Sequence, residues 1–334
     1  MQPLEKSWYR TDITSRLLCL TLWPLSVLFG AVAGLRRTGF RLGLLRTTRL
    51  PVPVVVIGNI TAGGTGKTPL TIALGRSLKK RHKRPGIVCR GYGGTAKQPQ
   101  VVLADSNPQV AGDEAVLLAR HSGCPVWIGA DRVAAARGLL AANPDCDMLL
   151  SDDGLQHYAL QRNFEIAVID AARGFGNQRL LPSGPLREAL TRLASVDAVV
   201  LNGLGAKPQV SGTVYRMSLR GERFRNLATP QHYVSASYFA GRKTTAIAAI
   251  GNPQRFFDHL QSLGIEANTK VFPDHHAYTP ADLAFSAGTE VIMTDKDAVK
   301  CEGFAGPAYW SLEVEAELDD DLPEQIMRQL GVSQ

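Results

Sequence analysis

The sequence lacks the cysteine spacing of a disulfide-stabilised or zinc-binding protein. It has five cysteines in 334 residues, an odd number, and no two of them form a CxxC pair. Disulfide frameworks and zinc sites both need cysteines at paired spacings. The chain also has no low-complexity run and no internal repeat, which excludes a flexible linker and a repeat array. We therefore expect a globular protein of a reducing compartment.

Net positive charge is scarce outside the first fifty residues. Of a net charge of +7, residues 1–50 contribute +6, from eight Lys and Arg against two acidic side chains. A protein that binds nucleic acid through its surface charge needs a basic face on its folded domain. The remaining residues, with a net charge of +1, do not supply one, and we expect no nucleic-acid partner.

The segment VVVIGNITAGGTGKTPL, residues 54–70, reads as an apolar strand, a glycine-rich turn and the start of a helix. This is the context of a phosphate-binding loop (P-loop), although the pattern GxxxxGK[ST] has Gly where this chain has Thr61. The alternative is a turn that binds nothing. The glycines that remain allow positive φ angles, and backbone amides at such a turn hold phosphate oxygens. Lys67 would reach the β and γ phosphates, and Thr68 would coordinate Mg²⁺. The predicted nucleotide-binding residues are Thr61, Ala62, Gly63, Gly64, Thr65, Gly66, Lys67 and Thr68.

Apolar runs bounded by Gly, Asp or Asn alternate with helical stretches after Pro51, namely VPVVVIG, PGIVCR, PVWIGA, DMLLSD, FEIAVID and VDAVVLN. Such runs indicate a mostly parallel sheet with helices on both faces. The predicted fold class is α/β and P-loop NTPase-like, with a smaller C-terminal α/β domain. We place an N-terminal membrane-associated segment at residues 1–45, the P-loop core domain at 46–235 and the smaller domain at 236–334.

Acidic side chains lie at the ends of several predicted elements. Asp152 and Asp153 come directly after a strand, where the second metal-binding carboxylate of a P-loop protein lies; an Asx turn is the alternative. Asp113 begins a predicted helix, and two roles remain open for it, that of a helix cap and that of a catalytic residue. In FPDHHAYT, His275 and His276 follow Asp274, and a His beside a carboxylate can help to deprotonate an alcohol.

Residues 17–35 contain no charged side chain, and as a helix they would span about 28 Å, close to the hydrocarbon thickness of a bilayer. Three interpretations remain open: a helix that spans the membrane, a cleaved signal peptide, and a whole or broken helix that lies in the membrane interface. Pro24 and basic residues on both flanks weaken a single span. The basic flanks suit anionic headgroups. The alternative is a helix buried in the core of the protein. We expect the segment to associate with the membrane, and the sequence does not decide between a spanning and an interfacial position.

Nine segments occur together in one order: GNITAGGTGKTP, CRGYGG, AGDEAVLLA, GADR, SDDGLQH, LLPSGPLRE, AIGNPQRFF, FPDHHAYT and TDKDAVK. In this the chain resembles the tetraacyldisaccharide 4'-kinases, the lipid A 4'-kinases of Gram-negative bacteria, over nearly its whole length. The resemblance implies transfer of the γ-phosphate of ATP to the 4'-hydroxyl of a tetraacyldisaccharide 1-phosphate, forming lipid IVA at the cytoplasmic face of the inner membrane. It also implies ATP and Mg²⁺ as cofactors, a lipid substrate at a membrane surface, and a monomer.

The resemblance implies roles for individual residues. Asp113 would be the general base, paired with His275 and with His276 in reserve. Asp152 and Asp153 would join Thr68 at Mg²⁺. Lys67, Arg132 and Arg187 would stabilise charge on the transferred group, and Tyr92 would lie near the nucleotide or the acceptor. Gln156 follows Asp152 and Asp153 closely in the sequence, and we assign it to the nucleotide site on that ground.

Two rivals from other classes remain at this point. A membrane-associated regulatory GTPase would need an NKxD segment, which neither LNGLGAKPQ nor MTDKDAVK provides. A soluble P-loop kinase of a small metabolite would use residues 17–35 as a core helix.

Overall fold

The six apolar runs predicted as strands are strands of one sheet. The computed structural model describes residues 3–205, 210, 212–286, 288–319 and 321–332. The strands in these residues are β1 (Val54–Gly58), β2 (Pro85–Cys89), β3 (Gln100–Val102), β4 (Val126–Ile128), β5 (Met148–Ser151), β6 (Phe164–Asp170), β7 (Ala198–Asn202), β8 (Thr213–Asn226), β9 (Tyr233–Ser235), β10 (Thr244–Ala248), β11 (Asn268–Val271), β12 (Glu290–Thr294) and β13 (Tyr309–Leu318).

Helices follow most of the strands. Over the same described residues they are α1 (Pro3–Ser7), α2 (Ile13–Thr21), α3 (Trp23–Arg41), α4 (Lys67–Lys80), α5 (Pro108–Ala111), α6 (Asp113–Ser122), α7 (Arg132–Ala142), α8 (Pro253–Ser262), α9 (Asp295–Cys301) and α10 (Asp321–Gln329). The described residues also contain three 3₁₀ helices, at Leu190–Ser195, Ala236–Phe239 and Pro280–Ser286.

The sheet is continuous, in the order β11-β10-β12-β13-β8-β7-β6-β1-β5-β2-β4-β3, with β9 beside β8. The pairs β1–β5, β1–β6, β2–β5, β2–β4 and β6–β7 are all parallel. Every residue of β1, β2, β6 and β7 is buried, as expected when helices cover both faces of a parallel sheet. The predicted α/β architecture is therefore confirmed.

Two long antiparallel strands join the halves of the sheet. The first residues of β8 pair in parallel with β7, and the rest run antiparallel to β13, from the pair Asn226 and Trp310 to the pair Met217 and Leu318. Strand β13 continues in parallel with β12, which pairs with β10. The sequence reading had placed only a short run in β8 and had not predicted β13.

Apolar side chains pack on both faces of each half. Val55 and Ile57 of β1 belong to one cluster and Val54 and Val56 to another; since side chains alternate along a strand, the two clusters lie on opposite faces. Residues of β10 alternate in the same way between two further clusters, one containing Phe224 and Trp310 and one containing Met293. The domain boundary near residue 235 stays a prediction, because one sheet runs through both halves.

The N-terminal apolar segment is a bent pair of helices. Within the described residues, no single helix has the length and hydropathy expected of a membrane span. Helices α2 and α3, which are bent by 51° to each other, reach that length and hydropathy only as a pair. Pro24 lies in the first turn of α3, where a helix tolerates proline. The exposed apolar side chains of the pair do not fit a core helix; they are Ile13, Leu17, Leu18, Leu20, Trp23, Leu25, Val27, Leu28, Val32 and Leu35.

Hydrogen bonds tie this segment to the loop that follows β6. Trp8 Nε1 donates to Pro182 O at 3.0 Å, Ser26 Oγ donates to Leu180 O at 2.8 Å, and the Ser183 amide donates to Ser26 Oγ at 2.8 Å. We call residues 171–188 the connecting loop.

Replacing Phe224 by Ala should lower the free energy of unfolding by about 3–5 kcal/mol, because it removes a fully buried aromatic ring and leaves a cavity. Phe224 lies in β8 and meets the Phe239 ring edge-on at 4.8 Å. Urea unfolding followed by circular dichroism measures the loss. The control is Val101→Ala on the edge strand β3, where the side chain is exposed and a change within about 0.5 kcal/mol is expected; similar losses in both variants would contradict the assignment of Phe224 to the core.

Candidate active site

A cleft of about 860 Å³ lies between the phosphate loop and the C-terminal half of the sheet. Residues 62–68 line it on one side, and residues 250–252, Arg255 and Lys296 line it on the other. In α/β sheets, ligands bind beyond the carboxyl ends of the strands. The cleft follows this rule, since the loops after β1, β5, β10 and β12 all reach it.

The phosphate loop ends at a glycine that no other residue replaces without strain. Gly66 precedes α4 with φ +95°, and a Cβ there would lie 2.3 Å from Nδ2 of Asn202. The Asn202 amide donates to Thr65 O at 2.9 Å. The close approach of Asn202 therefore holds the last turn of the loop open toward the cleft.

Thr61 supports the loop from behind. It forms an isolated β-bridge with Leu186 of the connecting loop, and the Ala62 amide donates to Pro185 O at 2.7 Å. Thr61 is buried and is not among the described residues that line the cleft, whereas residues 62–68 are.

Asn202 also joins the two halves of the protein. Arg255 Nη2, from the first turn of α8, donates to Asn202 Oδ1 at 2.9 Å, so one amide side chain contacts the phosphate loop and α8 at once. Both residues line the cleft, and sequence reasoning missed both. The only signal for Asn202 was its place at the end of an apolar strand.

Asp153 is held between two cations. Its Oδ1 lies 3.6 Å from Lys67 Nζ and 3.2 Å from Arg187 Nη1. Burial works against its charge, but Lys67 and Arg187 outweigh burial and lower the pKa of Asp153. Asp153 has φ +48°, and this left-handed turn lets two adjacent carboxylates meet different partners.

Asp152 contacts hydroxyl groups instead. Its two oxygens accept from Thr68 Oγ1 at 3.2 Å and from Thr71 Oγ1 at 3.0 Å. Burial, with the nearby Glu114 carboxylate, raises the pKa of Asp152 to about 7, although Lys67 partly opposes them.

These groups fit a magnesium ion that takes part of its coordination from a nucleotide. Among the described residues, no three His, Cys, Asp or Glu side chains are grouped to hold a metal. Mg²⁺ commonly binds through one or two carboxylates plus substrate phosphates and water. Thr68 and Asp152, in contact at the end of the phosphate loop, supply oxygens of that kind, and Asp153 lies next to them.

Asp113 and His275 meet at the wall of the cleft. His275 Nδ1 lies 3.2 Å from Asp113 Oδ2. Asp113 is the first residue of α6, and Gly112, not Asp113, occupies the cap position, with φ +89°. Burial opposes the charge of Asp113, but its hydrogen bond with His275 and the nearby Lys296 lower its pKa. His275 lines the cleft, and Asp113, which is only 5% exposed, lies behind it.

The neighbouring histidine points elsewhere. His276 stacks on the Phe272 ring at 4.9 Å, and its Nε2 lies 3.2 Å from Asp282 Oδ2. Of the two histidines in FPDHHAYT, the structure therefore brings only His275 to Asp113.

Three other predicted residues have different positions. Tyr92 lines the cleft and meets the His275 ring edge-on at 4.9 Å. Arg132 is buried and donates to Gly129 O at 3.0 Å, and Gln156 Nε2 donates to Asn59 O at 3.0 Å. Neither Arg132 nor Gln156 is among the described residues that line the cleft, so their roles at the nucleotide stay predictions.

Lys296, the second residue of α9, was also missed by sequence reasoning. Its Nζ lies 2.8 Å from Glu114 Oε1 and 3.2 Å from His275 Nε2. The TDKDAVK segment contained it, but nothing in the sequence indicated that α9 packs against α6.

Comparison with known proteins identifies one family. A model of the LpxK family, described as tetraacyldisaccharide-1-P 4'-kinase, matches residues 18–331. The tetraacyldisaccharide 4'-kinase of Chromobacterium violaceum is 49% identical over 338 residues, covering 99% of this chain and 98% of that protein. The enzyme of the same name from Methylobacillus flagellatus is 46% identical over 327 residues, covering 98% of this chain and 95% of that protein.

A solved structure is similar over the same extent. The crystal structure of LpxK from Aquifex aeolicus in complex with ATP superposes with a TM-score of 0.79 at 28% identity, covering 94% of this chain and 99% of that one. The comparisons give no support to a regulatory GTPase or to a soluble small-metabolite kinase.

Replacing Asp152 by Asn should raise the free energy of unfolding of the nucleotide-free protein at pH 8. Its pKa is about 7 in the folded protein and near 4 in an unfolded chain. Ionisation therefore favours the unfolded chain, at a cost that grows from about pH 4 to pH 7 and is complete above pH 7. We expect a gain on the order of 4 kcal/mol at pH 8 and on the order of 1 kcal/mol at pH 5, measured by urea unfolding.

The matched control is Asp153→Asn, the adjacent carboxylate with a lowered pKa. Its removal leaves Lys67 and Arg187 without their partner, so stability at pH 8 should fall. A change of the same sign in both variants would rule out the opposite environments assigned to the two carboxylates.

Proposed function

The chain belongs to the tetraacyldisaccharide 4'-kinase family, and on that premise we propose that Asp113, paired with His275, is the base of its reaction. Like the family, it is an ATP-dependent kinase of lipid A biosynthesis that phosphorylates the 4'-hydroxyl of a tetraacyldisaccharide 1-phosphate. The observation that carries the proposal is the 3.2 Å contact between His275 Nδ1 and Asp113 Oδ2 at the wall of the cleft that the phosphate loop lines.

The nucleotide would lie along residues 62–68. The backbone amides of this loop and the start of α4 would bind the phosphate oxygens, and Lys67, now 3.6 Å from Asp153, would reach the β and γ phosphates. Arg187 contacts the same carboxylate, so both cations are close enough to neutralise charge on the transferred group.

Thr68, Asp152 and Asp153 would hold Mg²⁺ against the phosphates. The ion, when bound, supplies positive charge to the β and γ oxygens, which lowers the barrier to phosphoryl transfer. A carboxylate ligand must be deprotonated, so Asp152, whose pKa is raised to about 7, would have to release any proton it carries in order to hold the ion.

The reaction joins the acceptor oxygen to the γ phosphorus and breaks the bond from that phosphorus to the bridging oxygen of ADP. The proton of the 4'-hydroxyl goes to the Asp113 carboxylate. Its lowered pKa keeps Asp113 ionised and ready to accept. Since transfer depends mainly on positioning and charge neutralisation, His275 contributes by holding the Asp113 carboxylate in place through their 3.2 Å contact.

The smaller C-terminal part, residues 236–334, would close over the phosphate loop and exclude water. Two contacts support this role. The Arg255 guanidinium reaches the phosphate loop through Asn202, and a Cβ at Gly251 would lie only 3.0 Å from the Gly64 amide nitrogen. Without closure, water would compete with the acceptor for the γ-phosphate.

Residues 1–45 would hold the enzyme at the inner membrane, with the ATP site on the cytoplasmic face. The exposed apolar side chains of α2 and α3 suit the acyl region, and the flanking Lys and Arg suit anionic headgroups. A substrate with four acyl chains stays in the leaflet, so an enzyme docked there meets it directly. We propose that the docked enzyme is a monomer.

Replacing Asp113 by Ala should lower the turnover number by about 10²–10⁴, because the acceptor loses its base. The Michaelis constant for ATP should change little, since the loop that binds the phosphates is untouched. Transfer of ³²P from ATP to purified tetraacyldisaccharide 1-phosphate measures both.

The controls are Lys67→Ala, which should weaken ATP binding as well as turnover, and Asp105→Ala, an exposed surface carboxylate that should leave both unchanged. An unaltered turnover number in the Asp113 variant would remove the base assignment.

Replacing Leu20 and Leu28 together by Gln should release the protein from lipid. Both side chains are exposed on the bent helix pair, and each buried Leu stabilises insertion by roughly 1.5–3 kcal/mol. Co-sedimentation with vesicles of anionic and zwitterionic phospholipid measures binding. Leu204→Gln, at a still more exposed leucine outside the segment, is the control; undiminished binding of the double variant would argue against this surface.

A further inference from the structure

We propose that Lys296 fixes the position of the proton in the Asp113–His275 pair, acting as a positioning residue through His275. The inference deepens the proposed function and rests on the assignment of Asp113 as the base. It decides which member of the pair receives the proton of the acceptor.

The hydrogen-bond geometry carries the argument. Lys296 Nζ lies 3.2 Å from His275 Nε2, and an ammonium group can only donate. His275 Nε2 must therefore be the acceptor and carry no hydrogen. The remaining ring proton is then on Nδ1, which faces Asp113 Oδ2 at 3.2 Å. His275 is thus a neutral imidazole that donates to the Asp113 carboxylate.

Lys296 is held in its charged form. Burial alone would lower the pKa of Lys296, but Glu114, Asp113 and Asp274 together raise it. The contact with Glu114 Oε1 is 2.8 Å. Glu114 is kept ionised in turn, because Lys296 and Lys67 outweigh its burial and lower its pKa.

His275 is surrounded by groups of both signs. Its own loop supplies Asp274 at 3.9 Å, and the loop after β2 supplies the Tyr92 ring. Helix α6 supplies Asp113, with Glu114 beside Lys296. Helix α9 supplies Lys296 and also Lys300, whose Nζ lies 3.9 Å from Asp113 Oδ2.

Among these groups, Lys296 is the cation in direct contact with the ring of His275. Protonation of His275 would place a second positive charge about 3 Å from the ammonium, and a like charge at that distance disfavours the charged form. Because the ammonium opposes a positive charge on the ring, Asp113 is the favoured acceptor of the proton. Loss of Lys296 would let an imidazolium form beside Asp113 and make that carboxylate a weaker base.

The position of Lys296 is set by its neighbour in α9. Asp295 binds His121 Nε2 at 2.6 Å and Arg225 Nη2 at 3.3 Å, and Thr294 caps the helix by accepting from the Asp297 amide. Lys296 therefore reaches His275 only while α9 is packed against α6.

The first test is the pH dependence of turnover in Lys296→Met. The acid limb of the kcat profile should move to higher pH by about one unit, because the variant lacks the ammonium whose charge opposes a second positive charge on the ring. Lys296→Arg, which keeps the charge, should restore the limb at least in part. Lys270→Met, on the exposed strand β11, removes a lysine away from the cleft and should leave the profile unchanged. A uniform fall in kcat with no movement of the limb would mean a structural role and overturn the proposal.

The second test observes the wild-type chain and uses a variant only to assign its signals. ¹⁵N NMR of protein labelled in its histidine rings, with His275 assigned by its absence in His275→Gln, should show a hydrogen on Nδ1 and none on Nε2 near pH 7. A hydrogen on Nε2 in the wild type would overturn the inference. Should Asp113→Ala keep full turnover, the base assignment fails, and the ring tautomer still reports separately on Lys296.

Discussion

The packing of α6 against α9 holds the two halves of the site together through paired charges. Arg120 binds Glu302 through two hydrogen bonds of 2.6 and 2.7 Å, and His121 binds Asp295 at 2.6 Å. Lys296 binds Glu114 in the same contact. The side chains of these pairs are mostly half-buried, so loss of one partner costs more than at a fully exposed pair. Asp113 and His275, one from each half, owe their meeting to that fit.

Local sequence predicted what depends on local pattern. Strands β1, β5 and β6 were visible because both their faces are buried and their apolar runs are unbroken. Strand β13 was not, because in YWSLEVEAEL only the first residues are buried and charged side chains alternate with apolar ones. The contacts of Asn202 and Lys296 could not be predicted for a related reason. Each of these residues connects elements that are distant in the sequence, and the packing of those elements depends on strands that had not been predicted.

The adjacent carboxylates at 152 and 153 show a second limit. As residue types they are identical, and no sequence pattern separates them. A single left-handed residue turns one toward Lys67 and Arg187, while the other meets two threonine hydroxyls near Glu114. Their pKa values consequently move in opposite directions. The sequence pattern predicted a role for both carboxylates, but it could not predict the difference in their pKa values.

The connecting loop contacts two regions whose surroundings differ completely. At Pro182 and Ser183 it bonds to the N-terminal helical segment, and at Pro185 and Arg187 it bonds to the phosphate loop and Asp153. Only a few peptide units separate these contacts. If α2 and α3 lie in lipid, any tilt or withdrawal of these helices strains the phosphate loop through the connecting loop. The connecting loop therefore couples the depth of the helices in the membrane to the geometry of the nucleotide site.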